Sequence, residues 1–234
     1  MQKIVKIFYS LIDFLFPRYC KVCGRRLCSS EEHLCITCLL AVPVYKNYKG
    51  GINLPEELLI TVKNLQRAES LMIYDKESDY RKILYHLKYY SQPGVGQYMS
   101  RFAAKRLLDT GFFDGVDMIV PVPLSAAKRR KRGYNQCDYI ADGLNCVTGI
   151  PVAKDVVARS RVNTQQAGMG KLQRWSNAEG IFNVLEPEKI TGKHLLVVDD
   201  VMTTGSTLLS LLTQIEQSVP SVKLSVFTLA LVRN

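Results

Sequence analysis

The segment from Leu195 to Thr207 places carboxylates and hydroxyls where a buried strand should give way to a helix. Four apolar residues precede Asp199 and Asp200, as expected for a strand that is covered on both faces. An amphipathic helix should begin near Ser206, where backbone N–H groups favour an anion and Gly205 lets the backbone approach it. We therefore predict a phosphate site in this loop, with the two carboxylates accepting hydrogen bonds from the hydroxyls of an attached sugar. The predicted contacts are Asp199, Asp200, Val201, Met202, Thr203, Thr204, Gly205, Ser206 and Thr207.

This order of residues resembles the phosphoribosyl pyrophosphate signature of type I phosphoribosyltransferases. A plainer interpretation stays open, because acidic and hydroxyl side chains also cap helices. A cap needs a single acceptor, whereas this segment supplies a run of them. A Walker A loop does not fit, since no Gly-Lys-Ser/Thr follows a loop that opens with glycine.

A second set of chemically active residues lies near the N-terminus, in two Cys-x-x-Cys knuckles that eleven residues separate. Paired knuckles can present four thiolates tetrahedrally, so we predict a structural Zn²⁺ site. A disulfide framework is the alternative, but it needs an oxidising compartment, and seven cysteines leave one unpaired. Cys28 and His33 lie between the knuckles, and we expect neither to bind the metal. The predicted ligands are Cys20, Cys23, Cys35 and Cys38.

A third set follows the predicted strand at 117–120. Pro121 and Pro123 lack backbone donors, so this loop cannot bind an anion mainly through its own N–H groups. Five consecutive cations at 128–132 would have to do so, and arginine can grip phosphate with two parallel hydrogen bonds. A solvated basic turn or a nucleic-acid patch is the plainer interpretation of the same run.

Taken in order behind the cysteine knuckles, three motifs resemble the ComF family of competence-associated proteins. They are Pro-Val-Pro-Leu at 121–124, Arg-Gly-Tyr-Asn-Gln at 132–136 and Val-Val-Asp-Asp-Val-Met-Thr-Thr-Gly at 197–205. The resemblance covers nearly the whole chain and includes His86-Leu87-Lys88-Tyr89 and the segment after Arg159. It implies an α/β fold of the type I phosphoribosyltransferase class, mainly a parallel sheet flanked by helices, joined to a small N-terminal zinc ribbon. For some members it implies a role in DNA uptake during natural transformation.

The resemblance also implies a ligand, phosphoribosyl pyrophosphate bound with Mg²⁺, and a reaction in which a nitrogen acceptor displaces pyrophosphate from C1. Asp199 and Asp200 would hold the ribose hydroxyls and metal-bound water. Basic side chains would neutralise the pyrophosphate. The polar stretch 160–177 has two interpretations: a lid that closes over the diphosphate, or a surface loop without that role. The contacts expected outside the phosphate loop are Pro121, Val122, Pro123, Lys88, Arg129, Arg132, Lys171 and Arg174.

The elements that must position these residues alternate along the chain. Helical patterns at about 79–90, 95–109, 134–147 and 206–217 alternate with strands at 117–120, near Val156, at 194–199 and at 224–232. Such alternation predicts a largely parallel sheet with ligands at the carboxyl ends of its strands. A break near 43–55 predicts two units, a helix and zinc ribbon over 1–45 and a phosphoribosyltransferase-like domain over 55–234. Cys137 and Cys146 are interpreted as buried helix residues.

Residues 1–16 have the apolar spacing of an amphipathic helix. They do not fit a signal peptide, because Lys6 and Asp13 interrupt the apolar run and no small-residue cleavage site follows. We expect this segment to pack against protein, with binding to a membrane surface as the lesser alternative. No apolar run is long enough to span a bilayer, and together with the unpaired cysteines this predicts a cytoplasmic location.

Composition bounds the remaining choices: 234 residues, 47% of them hydrophobic, can bury a substantial core. The formal net charge of +10 suits a polyphosphate ligand or a nucleic acid. Three function classes stay open. The first is a phosphoribosyltransferase; the second is a single-stranded-DNA-binding protein that works with competence-machinery proteins; the third is a sensor that binds phosphoribosyl pyrophosphate without turnover. Tyrosines beside cations would stack bases in the second class, namely Tyr85, Tyr89, Tyr90 and Tyr134.

Overall fold

A computed structural model describes residues 16–46, 52–75, 77–160 and 181–232. Its strands are β1 (Leu65–Tyr74), β2 (Met118–Pro121), β3 (Val157–Arg159), β4 (Phe182–Val184), β5 (His194–Met202) and β6 (Lys223–Val232). Its α-helices are α1 (Ile36–Leu40), α2 (Leu54–Glu57), α3 (Arg81–Tyr89), α4 (Gly94–Leu107), α5 (Ala126–Arg132), α6 (Gln136–Thr148), α7 (Pro187–Ile190) and α8 (Ser206–Ser218). A short 3₁₀ turn, Leu108–Thr110, extends α4.

Four strands form a parallel sheet in the order β1-β6-β5-β2. Val197 at the centre of β5 pairs with Val226 of β6 on one side and Val120 of β2 on the other. All three side chains are buried, as expected where helices cover both faces of a parallel sheet. The predicted α/β fold with a mainly parallel sheet is confirmed, and the carboxyl ends of its strands meet at one edge.

Helices cover the two faces of the sheet with separate apolar clusters. On one face, α3, α4 and α6 contribute Leu87, Met99 and Ile140 to the cluster around Leu196 of β5. Gly143 lets α6 approach α4 closely, because a Cβ there would clash with the Gln97 carbonyl. On the other face, α8 packs against the sheet through Leu208, Leu211, Leu212 and Ile215. The sheet is thus fixed from both sides, which holds the ends of its strands in place.

The cysteine module at 16–46 packs onto the first of these clusters. Cys20, Leu34 and Val42 belong to the same continuous apolar cluster as α3 and α4. Val44 also forms an antiparallel bridge with Met72, which adds the end of the module to the free edge of β1. The module is therefore built onto the sheet by both side-chain packing and backbone pairing.

Several predicted helices and strands lie close to their expected positions, but three strands and one predicted buried cysteine differ from the prediction. Strand β1 was not predicted, since its sequence alternates too little to stand out. The strand near Val156 forms an antiparallel hairpin, β3 with β4, outside the main sheet. Strand β5 continues past Asp199 to Met202, so both carboxylates are strand residues. Cys137 is buried as predicted, but Cys146 is exposed, so that prediction was wrong.

The basic run at 128–132 forms helix α5 instead of the expected loop. Ser125 caps the helix by accepting a hydrogen bond from the Lys128 N–H, and Gly133 ends it with a left-handed φ of 83°. Arginine and lysine are good helix formers, so two caps suffice to make a helix of this run. The consequence is that its cations point in different directions.

Some predictions fall on residues outside the described ranges. These are the amphipathic helix at 1–16, apart from Phe16, most of the turn after Lys46, and the polar stretch that contains Lys171 and Arg174. Among the helices of the described ranges, none is both long and apolar enough to cross a bilayer.

Candidate functional site

A cavity of about 530 Å³ opens at the carboxyl edge of the sheet, beside the ends of β5 and β2. Its wall combines acidic, basic and hydroxyl side chains with a few apolar ones. The lining residues are Lys88, Tyr89, Ser91, Val122, Pro123, Leu124, Lys128, Lys131, Arg132, Gln136, Arg159, Asp199, Asp200, Val201, Thr203 and Thr207. Ligands of open parallel sheets bind at this edge, so the cavity lies where the topology favours a site.

The two adjacent carboxylates at the cavity have different partners, because successive residues of a strand point to opposite faces. Asp199 Oδ1 accepts hydrogen bonds from the Cys137 thiol (3.3 Å) and from the backbone N–H of Asp200 (2.8 Å). Asp200 Oδ1 lies 3.0 Å from Lys88 Nζ, so this carboxylate has a counter-ion from α3. The two carboxylates therefore have separate environments. That both contact one sugar stays a prediction.

Burial controls the protonation of Asp199. Burial, and after it the neighbouring charge of Asp200, raises the pKa of Asp199 from 3.8 to about 7. Burial also raises the pKa of the Cys137 thiol well above its usual value, with added repulsion from both carboxylates. Cys137 therefore stays a neutral thiol that donates to Asp199, and it does not act as a nucleophile.

One carboxylate oxygen at the cavity is left over. Asp200 Oδ2 is buried and has no hydrogen-bond partner among the described residues. A buried carboxylate oxygen without a donor is costly, so its presence at a cavity indicates a ligand that supplies one. Such a donor can be a sugar hydroxyl or a metal-bound water, because an ionised carboxylate only accepts.

The loop between β5 and α8 has the geometry of an anion cradle. Gly205 has a left-handed φ of 73° at the N-terminus of α8, and within the described chain no side chain caps this helix. Its first N–H groups are thus available to a phosphate, which argues against the simple helix-cap interpretation. A small pocket of about 30 Å³ lies against the loop and is lined by Asp199, Val201, Met202, Thr203, Gly205, Ser206, Thr207 and Leu208. Thr204 also belongs to the loop, and its hydroxyl lies 3.3 Å from that of Ser206.

Helix α5 presents one basic face to the cavity. Lys128, Lys131 and Arg132 share a helix face at i, i+3 and i+4 and line the cavity. Arg129 is exposed and lies outside this lining, although the sequence analysis expected it there with Arg132. The helical turn is the reason, since it directs neighbouring residues about 100° apart.

The loop between β2 and α5 contributes one of its two prolines to the cavity. Pro121 ends β2, is buried and lies outside the lining, although it was predicted as a contact, while Val122 and Pro123 line the cavity. The Val122 N–H donates to the Val198 carbonyl at 2.9 Å, so the one free donor of this segment is used by the sheet. An anion bound here must therefore be held by cationic side chains and not by the backbone of residues 121–123.

Several cavity residues were not predicted to contact phosphoribosyl pyrophosphate. Tyr89 receives the Arg132 guanidinium at 5.8 Å from its ring centroid, and Arg132 also donates to the Gln136 side chain. Ser91 has a left-handed φ of 50° just after α3 and lines the cavity. Arg159 reaches the lining from the β3–β4 hairpin, where it lies over the Phe182 ring. The motifs of the family resemblance contain Tyr89, Gln136 and Arg159, so the sequence offered a signal for these three.

The four predicted metal ligands converge in the module. The Sγ atoms of Cys20, Cys23, Cys35 and Cys38 all lie within 4.8 Å of one another. The Cys23 and Cys35 sulfurs are 3.8 Å apart, and thiolates held tetrahedrally at 2.3 Å from zinc would be separated by about the same distance. The Cys35 N–H also donates to Cys20 Sγ at 3.3 Å, a contact that suits a thiolate. The donor set and spacing thus fit zinc.

Other polar groups of the module support this cluster. Glu31 accepts hydrogen bonds from the N–H groups of Cys28 and Ile36 (2.9 and 2.7 Å) and pairs with Arg25, which fixes the segment between the knuckles. The Cys28 thiol lies 3.3 Å from the Ser30 hydroxyl, and the His33 ring packs edge-on against Tyr98. Both spare side chains are thus engaged away from the four sulfurs.

The sheet, the anion cradle and the paired carboxylates define a protein of the phosphoribosyltransferase class. A profile of the family described as "Phosphoribosyl transferase domain" matches residues 86–229, and the chain belongs to that family. Its relatives make it a ComF-type member. It is 26% identical over 200 residues to "DNA utilization protein YhgH" of Escherichia coli (strain K12), covering 82% of this chain and 87% of that protein.

A further relative matches over a shorter stretch. "Competence protein F" of Haemophilus influenzae is 33% identical over 93 residues, which are 39% of this chain and 41% of that protein. Among solved structures, a glutamine phosphoribosylpyrophosphate amidotransferase from B. subtilis, complexed with ADP and GMP, superposes with a TM-score of 0.40 and 17% identity. The superposition covers 61% of this chain and 30% of that chain.

Proposed function

We propose that this protein binds phosphoribosyl pyrophosphate with Mg²⁺ in the cavity at the carboxyl edge of the sheet. The observation that carries the proposal is the unpartnered Asp200 Oδ2, a buried acceptor on a residue that lines the cavity between an anion cradle and a basic helix face. Phosphoribosyl pyrophosphate has hydroxyls between two phosphate-bearing ends. In the cavity, the carboxylates lie between the anion cradle and the basic helix face, so each part of the cavity can meet one part of this ligand.

Each part of the cavity then has one task. The loop at 203–207 and the free N–H groups of α8 hold the 5-phosphate. Asp199 and Asp200 accept hydrogen bonds from the ribose hydroxyls. Lys131 and Arg132 meet the pyrophosphate, helped by Lys128, Arg159 and Lys88, because this end needs several positive charges.

Magnesium fits the same residues. An unpartnered carboxylate oxygen suits this cation, which usually keeps several waters and needs few protein carboxylates. Bound Mg²⁺ would neutralise part of the diphosphate charge. The chain would hold it through Asp200 and through water on Asp199, while the ion pair with Lys88 would keep Asp200 in place.

For the reaction we propose transfer of the phosphoribosyl group. The bond between C1 and the pyrophosphate oxygen breaks as a nitrogen acceptor forms a bond to C1, and the acceptor's proton leaves. The chain contributes positioning and charge stabilisation, since the cations on α5 face the departing pyrophosphate. A sensor would use the same contacts without an acceptor.

Calorimetric titration of the protein with phosphoribosyl pyrophosphate and Mg²⁺ tests the proposal. Saturable binding is expected, and Asp199→Asn with Asp200→Asn should weaken it at least about tenfold, because each charge-assisted hydrogen bond contributes about 1.5–3 kcal/mol. Asp109→Asn, an exposed carboxylate outside the cavity, is the matched control. Absence of binding by the unsubstituted protein, or unchanged binding by a folded double variant, would reject the proposal. Release of pyrophosphate with a panel of nitrogen acceptors then separates a transferase from a sensor.

We propose that the cysteine cluster holds a structural zinc ion. The support is the convergence of four thiols and the backbone N–H groups that point at their sulfurs. Zinc would contribute to the folding of the module, because the ligands close a site that hardly exists in the unfolded chain.

A second candidate function is binding of single-stranded DNA beside the cavity mouth. Tyr85 and Tyr89 are 50% and 65% exposed, with ring centroids 5.8 Å apart, and the Arg132 guanidinium lies over Tyr89. Exposed aromatic rings next to cations can stack bases and track a phosphate backbone. The names of the relatives, which refer to DNA utilization and to competence, favour this second function.

A further inference from the structure

Helix α3 connects the cysteine module to the cavity. At its N-terminal end, the Tyr80 hydroxyl donates to the Cys38 carbonyl at 2.7 Å, and Lys82 Nζ donates to the Val22 carbonyl at 3.1 Å. Cys38 belongs to one knuckle, and Val22 lies inside the other. At its C-terminal end, the same helix places Lys88 against Asp200.

The helix is stiff enough to transmit position between these ends. Its nine residues span about 13 Å as one uninterrupted α-helix, with Ile83 and Leu87 fully buried against the sheet. Beyond the helix contacts with the module, the Tyr134 hydroxyl donates to the Leu87 carbonyl at 2.7 Å, which fixes the end that carries Lys88. Helix α3 is thus held at both ends, and the position of Lys88 relative to Asp200 depends on the module anchors as well as on Tyr134.

The carbonyls that receive Tyr80 and Lys82 are part of the metal knuckles themselves. The Val22 carbonyl lies between the ligands Cys20 and Cys23, and the Cys38 carbonyl belongs to a ligand residue. Both anchor points of α3 are thus on the backbone of the cysteine cluster.

We propose that the four-cysteine site regulates ligand binding in the cavity through α3, with Tyr80 and Lys82 as positioning residues for Lys88. In the metal-loaded protein, the Lys88 and Asp200 side chains are held in the positions that bind the phosphorylated ligand. Loss of the metal loosens α3 and weakens binding. The proposal rests on the proposed function, since its main effect is on the affinity for phosphoribosyl pyrophosphate.

The test uses the full chain loaded with zinc and the double variant Tyr80→Phe with Lys82→Met. These changes remove the two donors but retain the cysteine ligands and most of the apolar surface. Zinc content should stay unchanged, while calorimetry should show about threefold to tenfold weaker binding of phosphoribosyl pyrophosphate with Mg²⁺. Tyr80→Phe with Lys82→Arg should recover part of the loss, because arginine restores a donor.

Arg101→Met is the matched control. Arg101 joins the module to α4 through a 2.7 Å ion pair with Glu32, and α4 contributes no residue to the cavity lining as described. This variant should keep its affinity. An equal loss of affinity in Arg101→Met would contradict a route through α3.

Hydrogen–deuterium exchange supplies a measurement that needs no ligand. Removal of zinc with a chelator should speed exchange in α3 more than in α8, which lies on the opposite face of the sheet. If the unsubstituted protein binds phosphoribosyl pyrophosphate but the double variant binds it equally well, the inference is wrong and the proposed function stands. If the unsubstituted protein fails to bind, the proposed function and the inference that rests on it are both wrong, whereas binding without faster α3 exchange after zinc removal overturns the inference alone.

Discussion

Lys88 and Asp200 form an ion pair across 112 residues of sequence, with Nζ 3.0 Å from Oδ1. The Lys88 side chain is 21% exposed and that of Asp200 only 4%, so solvent screens this pair weakly. Lys88 comes from α3, and Asp200 lies near the end of β5. A cavity for a polyanion thus contains a carboxylate that already has its own cation, which holds the Asp200 side chain in place.

Lys88→Met tests that relationship. The substitution removes the cation and retains the apolar stem, so Asp200 would lose its partner and the cavity one positive charge. We expect about tenfold or greater weakening of phosphoribosyl pyrophosphate binding, measured by calorimetry in the presence of Mg²⁺. Lys154→Met, which breaks an exposed pair with Asp142 at 2.9 Å, should leave the affinity unchanged. Equal affinity in both variants would exclude a binding role for Lys88.

The pH dependence of stability tests the burial of Asp199. Its pKa is raised in the folded state to about 7, mainly by burial and further by Asp200, so the fold favours the protonated carboxyl. The stabilisation is complete below the ordinary pKa of 3.8 and is lost as the pH rises through 7. Between pH 6 and pH 8.5 the ligand-free protein should lose about 1 kcal/mol from this group, or roughly 2–4 °C in melting temperature.

Asp199→Asn isolates this contribution. The amide cannot ionise, so the melting temperature of the variant should fall less between pH 6 and pH 8.5 than that of the unsubstituted protein. The exposed Asp109→Asn should keep the original pH dependence. If Asp199→Asn retains the full loss of stability, the carboxyl does not titrate in this range.

The cysteine cluster predicts one zinc per chain by elemental analysis. Cys20→Ser with Cys38→Ser should abolish zinc binding and make the module sensitive to protease, because metal binding and folding are coupled in such sites. Cys28→Ser is the control, since that thiol is exposed and lies beside Ser30. Unchanged zinc content and protease resistance in the double variant would show that the cluster is not the metal site.

The cations of helix α5 form two sets, one that lines the cavity and one that is exposed outside it. Lys131→Ala with Arg132→Ala should weaken phosphoribosyl pyrophosphate binding, because both side chains line the cavity. Arg129→Ala with Arg130→Ala alters exposed cations outside the lining and should preserve it.

The same two variants test DNA binding by its salt dependence. Each phosphate neutralised on a single strand contributes about 0.7 to the log–log slope of affinity against salt. Lys131→Ala with Arg132→Ala should flatten the slope for an oligonucleotide by roughly one to two units, without regard to base sequence, because the Arg132 guanidinium lies over Tyr89. Arg129→Ala with Arg130→Ala should change the slope less. Oligonucleotide binding that is undetectable at low salt, or that does not respond to salt, would reject the second candidate function. Competition between the oligonucleotide and phosphoribosyl pyrophosphate would show that the two share a surface.

The sequence by itself determined the features whose parts are close together in the chain. Asp199, Asp200 and the loop that ends at Thr207 could be predicted as one unit, because a strand, a turn and a helix start are local patterns. The two cysteine knuckles were predicted for the same reason, since each closes within four residues. The alternation of helices and strands then predicted the parallel sheet and the edge at which a ligand would bind.

Only the tertiary structure decided which distant side chains meet at that edge. Lys88 reaches Asp200 and Cys137 reaches Asp199 because strand pairing and helix packing join segments that the sequence separates. The choice of Lys131 over Arg129 followed from the helical turn of α5, where the sequence predicted a loop. The unpartnered oxygen of Asp200 and the raised pKa of Asp199 are likewise products of burial, which depends on every element that packs around them. Local patterns fix residue types and short spacings, whereas long-range packing fixes distances and solvation, and those quantities define the site.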